Sequence, residues 1–177
     1  MGTLRYPEEF AEEREAIIAE IYAAWKDVTR EGGISWSEAW CVGDPLDDTP
    51  EDRAAAREQD DELGWEELVE EPPWTDRHHP VLFFNPVASR YYVAPMLVCT
   101  LRGKSAVHLK ELLLLTTEGF DYRHDRWSLL DDRQQQCIAR FLDFMHRTEC
   151  FEHGVHFRFS QWLEISRSYW YRFHKKV

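Results

Sequence analysis

The sequence predicts a mainly α fold: an irregular multi-helix bundle forming a single domain over residues 1–177, with room for one or two short strands. Three observations carry this. Apolar residues recur at three- and four-residue steps in several segments. Caps and breakers punctuate those segments where helices would start and stop. The composition is also that of a chain with a packed core. Of 177 residues, 44% are hydrophobic and 14% aromatic, including eight tryptophans, whereas a disordered acidic chain is poor in aromatics. A chain of this length can bury a core without disulfides or metal.

The first helix is expected from Pro7 to about Arg30. Pro7 suits a first turn, and Glu8 and Glu9 sit where the helix dipole favours anions. Phe10, Ile17, Ile18, Ile21, Tyr22, Trp25 and Val28 form one apolar face, and Gly32-Gly33 ends it. Residues 34–45 are ambiguous: Trp36, Trp40 and Val42 alternate loosely, as in a short strand or an irregular packed segment. Thr49-Pro50-Glu51-Asp52 has the makings of a helix start, and the helix to Glu62 that follows has little apolar surface. Trp65 to Leu68 offers one more turn before Pro72-Pro73 breaks the chain. Residues 77–84 are compatible with a second strand.

Asn85-Pro86 opens the next helix, with Tyr91, Tyr92, Met96, Leu97 and Leu101 on its apolar side and a kink or break expected at Pro95;. Ser105 is placed to cap a helix to about Leu115 that buries Val107, Leu109, Leu112 and Leu113, and 116–127 reads as a loop. Asp131 with Gln134 resembles a capping box and introduces a helix to about Thr148;. Its core face is Cys137, Ile138, Phe141, Leu142 and Met145. Ser160 is placed to cap a last helix with Trp162, Leu163, Ser166, Tyr169, Trp170 and Phe173 on one face.

The net charge of −12 is unevenly distributed. Residues 1–76 hold 23 of the 33 acids and six of the 21 bases, a balance of −17; residues 77–177 hold the rest, a balance of +5. The densest part is an acidic, partly exposed insert at residues 44–76, with 14 acids against Arg53 and Arg57. Such a stretch is commonly a solubilising surface. It is also what a docking face for a basic partner requires, since a field of one sign speeds association and rejects acidic partners. Cys41, Cys99, Cys137 and Cys150 are scattered with no C-x-x-C. No apolar h-region follows the N-terminus and no apolar run is long enough to span a bilayer, so free thiols and a cytoplasmic location are expected.

Other chemistries leave weaker traces. Cys150, His153 and His156 follow at three-residue steps, with Cys137 and His146 nearby, which suits a metal in residue type but not in the paired spacing of structural zinc sites;. Asp121, His124 and Asp125 could serve acid–base chemistry in a loop of mixed charge;. Together these define an alternative, a metal-assisted hydrolase. A second alternative is a single-strand nucleic-acid binder, from the interleaved bases and aromatics of residues 167–176, ending in Lys175 and Lys176;. A pI near 5.1 argues against it;. No G-x-S-x-G and no glycine-rich phosphate loop is present;. No cofactor, metal ligand or catalytic residue is assigned.

Ser89-Arg90-Tyr91-Tyr92-Val93-Ala94-Pro95, then Trp127-Ser128-Leu129-Leu130 and residues 134–144, resemble a family of small bacterial proteins of unknown function. That family shows an RYY-x-x-P helix and a later segment ending in F-L. The resemblance covers roughly residues 86–146. Asp131-Asp132 replaces the Thr-Pro of the family pattern, a mild change because Asp caps as well as Thr. The resemblance implies a helical fold and a bacterial origin, and no activity.

The sequence therefore reads as a non-enzymatic, immunity-, inhibitor- or adaptor-like binding protein. Its expected docking residues are Asp60, Asp61, Glu62, Trp65, Glu66, Glu67, Glu70, Glu71 and Trp74: acids around aromatic anchors, facing a basic protein;. Neither a membrane nor a nucleic acid is the expected partner.

Overall fold

Asn85 and Pro86 start the helix around which the others are arranged. Pro86 has no N–H to leave unpaired at the first position, and the Asn85 side-chain oxygen accepts from the Ala88 N–H at 2.9 Å;. The helix, α5 (Pro86–Leu101), carries a single charge, Arg90, and a helix apolar all round belongs inside a protein;. Every residue from Tyr91 to Leu101 is buried, as are Ala88 and Ser89. The expected single apolar side is therefore an apolar cylinder. Pro95 gives no N–H to the carbonyl of Tyr91, yet α5 continues through it to Leu101, so the expected break is absent;. Packing on all sides holds the turn together where one backbone bond is lost.

The computed structural model describes residues 7–43, 48–60, 64–74, 80–104, 108–114, 125–153, 161–167, 170 and 173. Around α5 stand α1 (Ala11–Ala24), α4 (Glu67–Glu70), α6 (Leu109–Leu113) and a 3-10 turn at Asp125–Trp127. Outside them, α7 (Asp132–His153) packs along α1, and α8 (Gln161–Arg167) lies against α7 and α6. α2 (Trp36–Gly43) and α3 (Pro50–Arg57) pack on each other, and α2 also meets a 3-10 turn at Pro80–Phe83. The described residues are mainly helical and include no strand, so the strands admitted at 34–45 and 77–84 are replaced by α2 and, from Pro80, by that turn.

α2 is a helix because of a signal the Trp alternation obscures. Ser35-Trp36-Ser37-Glu38 is a capping box: Ser35 Oγ accepts from the Glu38 N–H and Glu38 Oε2 accepts from the Ser35 N–H, each at 3.1 Å;. Asp60 adds a second cap, accepting from the Ser37 N–H at 2.7 Å and the Ser37 hydroxyl at 2.8 Å. α3 starts as expected, with Thr49 Oγ1 accepting from the Asp52 N–H, but ends at Arg57, short of Glu62. The Ser105 and Ser160 caps, Val107, Tyr169 and Thr116 to His124 lie outside the described residues.

α1 stops at Ala24, about a turn and a half before the expected end. Its end is closed by a turn in which the Val28 N–H donates to the Trp25 carbonyl at 3.0 Å, and two buried side chains add donors to its last carbonyls;. Gln134 Nε2 donates to the Ala24 carbonyl and Trp65 Nε1 donates to the Trp25 carbonyl, both at 2.9 Å. The Trp25 indole in turn donates to the Arg90 carbonyl of α5 at 2.8 Å. Gln134 is fully buried and also completes the expected capping box of α7. Its N–H donates to Asp131 Oδ1 at 2.8 Å, and its Oε1 accepts from the Asp131 N–H and from Arg90 Nε, each at 3.2 Å. α7 then runs beyond Thr148 to His153 and buries the expected Cys137, Ile138, Phe141, Leu142 and Met145. Ion pairs Arg140–Glu20 and Arg147–Glu13 line its seam with α1. Part-exposed pairs of this kind contribute about 0–1 kcal/mol each, so they orient the helices more than they hold them.

Two stability changes follow. Replacing Gln134 with Ala should destabilise the fold by about 2–4 kcal/mol, because it orphans the Ala24 carbonyl and the Asp131 N–H together. Urea denaturation measures it, and a loss under about 0.5 kcal/mol would contradict the arrangement. Gly33 is packed so tightly that an added Cβ would lie 3.0 Å from the Arg30 carbonyl oxygen and 3.1 Å from the Ala88 nitrogen. Gly33→Ala should therefore destabilise by about 1–3 kcal/mol, whereas unchanged stability would mean that the loop moves freely away from α5.

Candidate functional site

The stretch densest in acids includes α3 and α4, so its geometry depends on what anchors these short elements. α4 is a single turn and would not persist alone. Trp65 and Val69 are fully buried beneath it. The Val69 carbonyl accepts from Lys104 Nζ at 2.7 Å and from the Cys99 thiol at 3.6 Å. Further on, Trp74 packs its ring 5.8 Å from that of Trp36, in a cluster that continues through Phe84 and Tyr92. The two expected aromatic anchors thus lie in the core. They fasten the segment to the rest of the molecule.

Those acids divide into two kinds. Asp60 turns inward: besides capping α2 it lies 3.7 Å from the buried Arg30 guanidinium, which also donates to the Tyr92 hydroxyl at 3.3 Å. Glu70 is exposed but paired, with Arg102 at 2.8 Å and Lys104 at 3.3 Å. The Lys104 hydrogen bond and charge, followed by Arg102, hold its carboxyl below the usual range. Glu66 is half-buried, and Glu67 and Glu71 are exposed. Asp61 and Glu62 lie outside the described residues. Glu51 and Glu58 on and just after α3 are exposed as well, and the sequence reading omitted them. Their position on the polar side of a helix that buries only Ala56 would have pointed to them. Among the described residues, Glu51, Glu58, Glu66, Glu67 and Glu71 have no basic side chain in ion-pair contact.

Between α2 and α3 lies an open cleft of about 520 Å³, lined by Glu38, Asp48, Pro50, Arg53, Ala54 and Arg57. Arg57 pairs with Glu38 at 2.7 Å and also donates to the Gly33 carbonyl at 3.0 Å, while Arg53 pairs with Asp48.

The remaining candidates are placed as follows. Cys99 and Cys137 are buried in α5 and α7, and burial pushes each thiol up to about 11, away from nucleophilic use;. The side chains of Cys150, His153 and His156, and Asp121 and His124, lie outside the described residues; Asp125 is exposed beside buried Arg126. Trp170 is buried against Trp127, and Lys175 and Lys176 lie outside the described residues. Among the described residues no three His, Cys, Asp or Glu side chains are grouped to hold a metal ion, and no helix is long and apolar enough to cross a membrane.

The model of the family of unknown function DUF6714 matches residues 13–173, and the chain belongs to this family. The likeness seen at residues 86–146 agrees with that assignment. No curated protein and no solved structure matches the chain.

The buried thiols predict an alkaline limit to stability. Cys99 and Cys137 rise from an ordinary value of 9.0 to about 11, so the folded chain keeps protons that the unfolded chain releases. Their contribution is complete below about pH 9 and is lost as pH climbs towards 11. Tyr91, raised by burial to about 12 from 10.0, extends the loss upwards. The melting temperature should be level near pH 8 and fall through this window. A level profile up to pH 11 would contradict the burial of these groups.

Proposed function

We propose that this member of DUF6714 is a non-enzymatic binding protein that docks a basic protein partner through the acidic stretch of residues 44–76. The reading includes a bacterial cytoplasmic setting and an immunity-, inhibitor- or adaptor-like role. One observation carries it: among the described residues no basic side chain is in ion-pair contact with Glu51, Glu58, Glu66, Glu67 or Glu71, on a segment whose Trp65, Val69 and Trp74 are buried in the core. A pre-ordered surface gives up less side-chain and loop freedom on binding than a mobile one. Its charges act mainly on association rate and partner choice, and salt screens them. The pairing of Glu70 with the chain's own Arg102 and Lys104 supports this reading, because basic side chains are already accommodated there.

The test compares the intact protein with the variant Glu66→Gln, Glu67→Gln, Glu71→Gln in pull-downs from host lysate, eluted by a salt gradient. The expected result is a near-stoichiometric basic protein that the intact chain retains at low salt. The variant, with an unchanged melting temperature, should bind it about tenfold or more weakly. Equal retention by both proteins, or no basic protein retained by the intact chain, would overturn the proposal.

A further inference from the structure

We draw no further inference here: the strongest candidate, the open cleft between α2 and α3, is lined by charges that already pair with one another, Glu38 with Arg57 and Asp48 with Arg53, so nothing in it is left to recognise a ligand.

Discussion

The C-terminal end of α1 presents carbonyls that no helical N–H can reach, and much of the molecule is arranged to meet them. Burying such a group without a partner costs about 1–3 kcal/mol. Gln134 from the start of α7 supplies the donor to the Ala24 carbonyl, Trp65 from the acidic segment adds a second donor to the Trp25 carbonyl beside the Val28 N–H, and the Trp25 side chain passes the connection to α5 through the Arg90 carbonyl. Three stretches far apart in sequence, around Trp65, Arg90 and Gln134, thus meet at the end of α1. Gln134 serves its own helix cap, Arg90 and Ala24 at once, which accounts for a fully buried amide in an otherwise apolar layer.

This node also determines what the acidic segment is. A run of charge with a one-turn helix would not hold a shape by itself. Trp65 joins it to α1, Val69 joins it to Cys99 and Lys104 at the end of α5, and Trp74 joins it to the aromatic cluster around Trp36. Glu67 and Glu71 are consequently exposed on a segment fastened to the core. The same tryptophans cannot both support that surface from below and meet a partner from above. The proposed recognition therefore rests on charge, with the aromatic residues acting as its supports.

Much of this was legible in the sequence where a local rule governs. The Asn85-Pro86, Thr49-Pro50 and Asp131–Gln134 starts are satisfied within three residues of chain, and all three are formed. The core face of α7 follows from its period. Other features depend on distant partners. α1 ends in a Trp25–Val28 turn, and the side chains that meet its end, Trp65 and Gln134, lie 40 and 110 residues away. Pro95 does not interrupt α5 because neighbours enclose it. α2 was hidden by its tryptophans although Ser35 and Glu38 announce it. For the surface, residue type marked the acids, but only the fold separates inward Asp60 and paired Glu70 from Glu67 and Glu71.

The most direct test of this account is hydrogen exchange across residues 64–74 in the intact protein and in a variant with benzothienylalanine at position 65, which keeps the size and shape of the indole but replaces its N–H with sulfur. The amides of Val69 and Glu71 bond to the carbonyls of Glu66 and Glu67 and report on α4. If the bond to Trp25 fastens the acidic surface to the core, these amides and the end of α1 should exchange faster in the variant while α5 stays protected. Exchange at the rate of the intact protein would mean that the acidic segment is held by other contacts and that the node at Trp25 is not its anchor.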